Sequence, residues 1–365
     1  MTSRHASPVD SIVDVIVVGA GVAGLAAARS MVALGRSVSV IEGRDRVGGR
    51  LRSVPAGESR LDLGATWFWP GEHRVSALVA ELGLRVHEQH LAGDAVFQLP
   101  DGAQRIDGNP IDVPSFRFSD GADALTDALA AALPDGSIRL GETVAAIDVS
   151  GRCIVTTDRG RHAAEAVIVA LPPALAVDRI AVSPALPEPI VSVARSTPVW
   201  MGSTTKVVAV YDRPFWRDAG LSGSAVSHVG PLREMHDMSG PDGAPAALFG
   251  FVPNGVVPDR QAVLEQLVTL FGDAAAVPIE VHVQSWSDQP LTSPPGATAS
   301  TAFHLFGHPA LRTPAFDGRW MFASTETGTA SPGHIEGALE AAEHAVAELR
   351  AGVPGAGSIR SNAQH

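Results

Sequence analysis

The sequence predicts an α/β (α+β) fold: a Rossmann-like nucleotide-binding domain interleaved with a mixed-sheet domain. Three observations carry that expectation. Residues 12 to 52 hold, in order, an apolar run, a glycine triplet, a helical stretch, a second apolar run and an acid. Further strand-like runs beyond residue 140 include a buried one at Ala166 to Ala170, suited to a parallel sheet. Apolar residues at helical spacing then close the chain from His334 to Arg350.

The N-terminal elements follow from their residues. Ile12 to Val18 reads as a buried strand running into Gly19-x-Gly21-x-x-Gly24. Gly19 suits the tight turn, Gly21 lets the backbone touch a pyrophosphate, and Gly24 allows close packing of helix on strand. The helix, about Val22 to Leu34, presents its N-terminal amides to the phosphates. A second strand, Ser37 to Ile41, ends at Glu42, 18 residues after Gly24, where its carboxylate suits a ribose diol. Next, Arg44-Asp45-Arg46-Val47-Gly48-Gly49-Arg50 resembles the RxGGR segment of FAD-binding oxidases, a second glycine turn bringing an arginine to the pyrophosphate. No second GxGxxG occurs, so a dedicated NAD(P)H domain is not expected.

Further along, Leu61-Asp62-Leu63-Gly64-Ala65-Thr66-Trp67 places small residues where a flat ligand could approach the backbone. A helix is expected over His73 to Leu82, short strands near Val96 to Leu99, and a helix from a cap at Asp120 to Leu133. Val144 to Val149 and Cys153 to Thr157 alternate as antiparallel strands, followed by a turn at Asp158-Arg159-Gly160. Thr204 to Tyr211 and Glu280 to Ser285 read as strands and residues 259 to 271 as a helix. Residues 290 to 298 read as a Pro/Gly-rich loop and Trp320 to Ala323 as a short strand. Ser331-Pro332-Gly333 opens the last helix. The expected nucleotide-binding domain comprises 11–75, 136–183 and 310–350. Residues 76–135 and 184–309 form the expected substrate domain, and 1–10 and 351–365 the tails.

Composition narrows the function. Lys plus Arg number 27 and Asp plus Glu 39, giving a net charge of −12. That disfavours nucleic acid and anionic membrane as partners. Cys153 is the only cysteine, which excludes an internal disulfide and a multi-thiolate metal site. Thirteen histidines form no HExxH-like cluster, so no metal is expected. The apolar stretch Val15 to Ala28 is not read as a signal-peptide core, because its removal would delete the phosphate loop. No apolar run reaches transmembrane length, and the one near Ala166 to Val177 is broken by Pro172-Pro173. A cytoplasmic protein is the expectation.

Lys206 is the only lysine, against 26 arginines. A chain that uses arginine for ordinary cations and keeps one ammonium hints at a need for a compact, rotatable charge. Lys206 lies in Thr205-Lys206-Val207-Val208-Ala209-Val210-Tyr211, an apolar strand, so its head group should enter a cavity. Ser203-x-x-Lys206 also matches a short acyltransferase motif, but no SDN or KTG partner accompanies it.

Taken together, the N-terminal fingerprint, LDLGATW, Lys206 followed by Phe215-Trp216, Trp286, and Phe322-Ala323-Ser324-Thr325-Glu326-Thr327 before Gly333-His334-Ile335-Glu336-Gly337-Ala338 resemble the flavin-containing amine oxidases, the monoamine oxidase family. The resemblance runs from about 12 to 350, densest at the ends and weak between 85 and 135. It implies that Gly19, Gly21, Val22, Ala23 and Gly24, with Glu42, Gly43, Arg44, Gly49 and Arg50, hold adenosine and pyrophosphate. Gly64, Ala65, Thr66 and Trp67 would lie against the isoalloxazine, and Val144 would meet the adenine. Glu326 would reach the ribityl and phosphate region. The helix start at His334 and Ile335 would face the flavin's pyrimidine carbonyl. Lys206 matches the family lysine that holds a water near flavin N5, and Trp286 would pack beside the ring. Trp286 as plain core, Glu326 as a capping acid and His334 as a packed histidine stay open beside these roles.

The departures bear on chemistry. Where several family members carry a flavin-linking Cys-Tyr pair, this chain reads Ser293-Pro294-Pro295-Gly296-Ala297, so FAD should be noncovalent. The family's cage of two facing rings meets Ala297 near one position and His334 at the other, and Tyr211 is the single tyrosine. Trp67, Trp69, Trp200 and Phe303 are the candidates to replace it. The chain is also short for the family, which points to a trimmed substrate domain. The expected reaction takes a hydride from the α-carbon of a small-molecule amine to flavin N5. It gives imine, then aldehyde or ketone, with O2 as acceptor and H2O2 as product; a homodimer is the expected assembly. His334 could assist proton removal. Two rivals stay open: a flavin-dependent desaturase, dehydrogenase or isomerase of a non-amine, and a non-catalytic FAD-binding protein.

Overall fold

The chain's hydrophobic runs build one sheet around the Ile12–Val18 strand, whose last four residues are buried. The computed structural model describes residues 12–294 and 301–352. The chain folds as two compact units, Met1–Gly49 with Asp127–Val199 and Ser300–His365, and Arg50–Thr126 with Trp200–Ala299.

In the first unit, Ile12–Val18 pairs in parallel with Val38–Ile41 on one side and Arg161–Val169 on the other. Ile138–Arg139 extends this parallel set beyond Val38–Ile41, and Trp320–Phe322 joins Arg161–Val169. Cys153–Thr157 then turns antiparallel to both Arg161–Val169 and Val144–Asp148. The Asp158-Arg159-Gly160 turn closes as expected, with the Thr157 hydroxyl accepting the amides of Arg159 and Gly160 at 3.1 and 3.0 Å. Helix Val22–Ala33 packs against the closing helix Ile335–Gly352. The sheet is doubly apolar where it is parallel: Ile16, Val17, Val167 and Ile168 have no exposed surface. Each such buried branched side chain contributes about 1.5–3 kcal/mol relative to exposure.

The second unit is built on a seven-stranded sheet. Its order is Glu280–Ser285, Thr205–Tyr211, Ala246–Val252, Glu234–Asp237, Leu221–Ser227, Asp94–Leu99 and Gly102–Ile106. All neighbours are antiparallel except Leu221–Ser227 with Asp94–Leu99. Helix Arg260–Phe271 opens with Asp259, whose carboxylate accepts the Ala262 amide at 2.8 Å. Helix His73–Leu82 ends at Gly83, left-handed at φ 64°. That conformation lets the Gly83 amide bond back to the last turn at no Cβ cost.

The third predicted helix needs correcting. It spans Asp123–Ala131, and Asp120 does not cap it: the Asp120 carboxylate accepts Arg85 Nε at 3.1 Å instead. The closing helix begins at Ile335, with His334 just outside it. Helices Pro173–Arg179 and Glu188–Ser196 and strands Leu221–Ser227, Glu234–Asp237 and Ala246–Val252 have no counterpart in the sequence reading. In the loop predicted at 290–298, residues 290–294 carry no helix or strand; Pro295, Gly296 and Ala297 lie outside the described residues, as do 1–10 and, of the tail expected at 351–365, residues 353–365, its first two residues continuing helix Ile335–Gly352.

Candidate active site

In the first unit the glycine loop and the Arg44–Gly49 turn meet backbone to backbone. Gly19 has φ 103° and its amide donates to Ile41 O at 2.8 Å. A Cβ on Gly24 would stand 2.0 Å from Gly19 O, so no side chain fits there. Around Gly21 the equivalent position is open, with nothing within 4 Å. Gly21 caps helix Val22–Ala33 without any side-chain bond, leaving the cradle to backbone amides. Gly48 pairs with Gly21 in a single bridge, and a Cβ on Gly49 would lie 3.3 Å from Gly21 Cα. Val22 and Ala23 are buried at the first turn of the helix.

Glu42 ends the second strand, 5% exposed. Its two oxygens accept the amides of Ala20 at 2.8 Å and Arg44 at 2.9 Å. A carboxylate has about four acceptor positions, so capacity remains for two hydroxyls of a diol. Arg44 holds its guanidinium 3.7 Å from the same carboxylate. Gly43 lies between them, partly buried. Val144 opens its strand opposite Thr157, 8% exposed.

At the same C-terminal edge of the parallel strands, Ala323 and Ser324 lead from the Trp320–Phe322 strand into a short 3-10 turn, Thr325–Thr327. Glu326 in that turn is fully buried. The Thr325 hydroxyl donates to His334 O at 2.8 Å and accepts the Gly333 amide at 2.7 Å. The turn therefore holds the entry to helix Ile335–Gly352, where Ile335 is buried and His334 half-buried. Phe303 is 46% exposed and rests against Phe306.

In the second unit Lys206 is 2% exposed. Its ammonium donates to Thr66 Oγ1 at 2.5 Å and Gly64 O at 3.1 Å, and stands 4.1 Å from the centre of the Phe249 ring. Burial, opposed by Asp62 and reinforced by Arg117, lowers its pKa to about 7. Gly64 admits no side chain, since a Cβ would lie 2.0 Å from Arg50 O. Ala65 also donates its amide to Arg50 O, at 3.2 Å, while the Arg50 guanidinium reaches Trp200 O at 3.1 Å. Trp286 is buried and donates Nε1–H to Leu63 O at 3.1 Å, fixing the same segment from the other side. Trp67 and Trp69 lie 6.4 Å apart, and Trp67 also meets His236 and Phe249.

The second unit thus gathers Lys206, Gly64, Ala65, Thr66, Trp67 and Trp286, which are scattered over more than 200 positions of sequence. Sequence reasoning missed their company: Asp62, Arg117, Phe249, Phe251, and His236 held between Asp112 at 2.6 Å and Glu234 at 2.9 Å. Register could have found part of it. Lys206 faces Phe251, and Phe251 faces Glu234, so the three share one sheet face. Among the described residues no group of His, Cys, Asp and Glu could hold a metal ion.

These features answer to a known group of proteins. The family model for flavin containing amine oxidoreductases matches residues 22–118 and 110–350. The chain belongs to that family. The AofH protein of Mycobacterium tuberculosis is 29% identical over 446 aligned positions, covering 93% of this chain and 97% of the relative. Putrescine oxidase of Kocuria rosea is 28% identical, over 95% of this chain and 96% of the relative. Flavin-containing amine oxidase B of Sus scrofa is 25% identical, over 92% and 86%. Among solved structures, wild-type putrescine oxidase bound to putrescine superposes with a TM-score of 0.83 at 22% identity, covering 93% of this chain and 99% of the other. Cyclohexylamine oxidase from Brevibacterium oxydans gives 0.81, also at 22% identity, over 92% and 98%. An alignment of 446 positions against a chain of 365 residues means that the AofH relative carries segments missing here.

This chain is accordingly an FAD-dependent amine oxidoreductase that holds its flavin noncovalently. The glycine cradle and the spare acceptor capacity of Glu42 fit a dinucleotide. Cys153 does not suit a covalent link: it is buried, its thiol pushed up to about 11 by burial, and it lies against Glu165 O and Arg319 O. No described helix is long and apolar enough to cross a membrane.

Proposed function

We propose that the chain oxidises a primary or secondary amine of a small molecule and passes the electrons to O2. The observation that carries this is the single lysine, fully enclosed and bonded to the Gly64-Ala65-Thr66 segment. When bound, FAD supplies the hydride acceptor, so that an amine becomes an imine that water converts to aldehyde or ketone while O2 becomes H2O2. Lys206, held by Thr66 Oγ1 and Gly64 O, would offer its remaining N–H to a water near the flavin. Desolvation beside the buried Phe249 and the half-buried Trp67 and Phe251 favours the uncharged form, so the substrate enters as the neutral amine. No strong side-chain base is then needed.

The remaining roles follow the same reading. Gly19, Gly21, Val22, Ala23, Gly24, Gly43, Arg44, Gly49 and Arg50 hold the pyrophosphate and its surroundings, and Glu42 takes the ribose. Val144 meets the adenine, and Glu326 the ribityl and phosphate region. Ile335 and His334 present the helix start to the pyrimidine carbonyl. Trp286 packs beside the ring. Segments 11–75, 136–183 and 310–350 form the FAD-binding domain, and 76–135 with 184–309 the substrate domain. Trp67 and Trp69 stand in for the two-ring cage. The protein works as a cytoplasmic homodimer, which gel filtration at micromolar concentration would read.

The test is an oxygen electrode with a peroxide assay over a panel of primary, secondary and diamine substrates. Oxygen uptake with stoichiometric aldehyde and peroxide supports the reading. Reduction of the flavin by amines with no oxygen uptake would remove O2 as acceptor.

A further inference from the structure

One buried polar cluster in the first unit has no part in the chemistry above. Glu142 is 4% and His162 5% exposed. Glu142 Oε1 accepts Thr157 Oγ1–H at 2.6 Å and meets His162 Nε2 at 2.5 Å. Burial alone would raise the Glu142 pKa, but the Thr157 and His162 bonds bring it below the ordinary value, so the carboxylate stays charged. A buried anion is costly unless it is paired and hydrogen-bonded, as Glu142 is by Thr157 and His162.

What it holds is visible in the backbone. The Glu142 amide donates to Glu42 O at 2.9 Å, the Gly141 amide to Arg44 O at 2.6 Å, and the Glu42 amide to Arg139 O at 2.9 Å. Residues 139–142 thus run beside Glu42 and Arg44 as an extra rail. Val144 follows two residues later, and the Thr143 amide is fixed on Asp158 Oδ1 at 2.9 Å. The rail touches solvent-facing loops on one side and gains its anchor on the other from His162, on the strand beside Ile12–Val18.

We infer that Glu142, Thr157 and His162 form a positioning brace that sets Glu42, Arg44 and Val144 for the adenosine half of FAD. This rests on the proposed ribose role of Glu42. None of the three need touch the cofactor. Removing the carboxylate takes from Thr157 and His162 the acceptor they share, and the rail relaxes together with the Glu42 carboxylate it carries.

Protein freed of FAD is titrated with FAD, by quenching of flavin fluorescence, and with ADP, by calorimetry. The variants are Glu142→Ala, Glu142→Gln, Thr157→Val and Glu42→Ala, each with its melting midpoint and circular dichroism. Glu142→Ala is expected to weaken FAD and ADP alike by at least about tenfold, the loss of one or two buried hydrogen bonds. Its melting midpoint should fall by several degrees while the circular dichroism of the folded protein is kept. Glu142→Gln, which keeps an acceptor oxygen, should recover most of the affinity. The inference is overturned if Glu42→Ala loses FAD while Glu142→Ala binds both ligands as tightly as the parent, or if weakening only follows a lost fold. If Glu142→Ala does not fold, Thr157→Val decides on ADP affinity, weakened or unchanged. Retention of FAD by Glu42→Ala would instead sink the ribose assignment.

Discussion

Lys206→Met should make the protein more stable at mildly acidic pH while slowing its chemistry. Burial moves the ammonium from 10.5 to about 7. At about 1.4 kcal/mol per pH unit, that difference is worth about 5 kcal/mol. The sign follows from proton counting. Between pH 7 and 10.5 the unfolded chain keeps the lysine proton and the folded protein does not, so stability rises with pH across that window. Below pH 7 both states are protonated and the full penalty stands. Methionine removes the penalty at nearly the same volume. It also removes the ammonium's bonds to the Gly64 carbonyl and the Thr66 hydroxyl, about 1 kcal/mol each, while Thr66 Oγ1–H keeps its contact to Gly64 O at 3.3 Å. The variant should therefore gain about 2–3 kcal/mol at pH 6 and lose that gain, or fall below the parent, by pH 10. The assay is the melting midpoint of both proteins, freed of FAD, across that range. Each kcal/mol moves the midpoint by about 2–4 °C for a unit of 150–250 residues. Parallel pH profiles would refute the reasoning, because the ammonium would then be reaching water or a counter-ion.

The other predictions concern single sites. With FAD bound, Lys206→Met should slow flavin reduction or reoxidation by about two orders of magnitude or more, and near-normal stopped-flow traces would remove its role. Gly24→Ala should yield colourless protein, since its methyl would stand 2.0 Å from Gly19 O; normal flavin content would contradict the packing. Asp112→Asn breaks a buried pair whose removal typically costs about 3–5 kcal/mol. The Asp112 carboxyl lies below its ordinary value, since the bonds from His236, Ser224 and Asn109 outweigh burial; His236 lies above its own, its two acids likewise outweighing burial. The lowered acid stabilises above about pH 4, and the raised imidazole until pH climbs past its folded value. Urea midpoints should differ most from the parent between pH 5 and 6 and converge as pH rises; a gap that widens with pH would contradict the pairing.

Local sequence was most informative where one residue type alone can serve. Gly24 and Gly64 are dictated by backbone oxygens 2.0 Å from any Cβ, and both stood out in the chain. Glu42 and Lys206 were legible as an acid ending a strand and a lone ammonium on an apolar one. The Ile12–Val18 strand and the His73–Leu82 helix matched to the residue because their patterns end at glycine or an acid. What escaped was non-local. Leu221–Ser227 is rich in serine and glycine, yet Ser222 and Ser224 are fully buried because Asp94 O on the next strand accepts the Ser222 hydroxyl and Asn109 and Asp112 pair with that of Ser224. Asp120 looked like a cap, but a nearby arginine claims its carboxylate. The His236, Asp112 and Glu234 cluster spans 124 positions and no local pattern announces it.

The most direct measurement is an anaerobic titration of the purified, yellow protein with a panel of amines, following the visible flavin band. Bleaching by at least one amine, with one equivalent of aldehyde or ketone per flavin and colour restored by air, is the predicted result. A protein that stays colourless after reconstitution with FAD would contradict it. So would a flavin that dithionite bleaches and every amine leaves untouched.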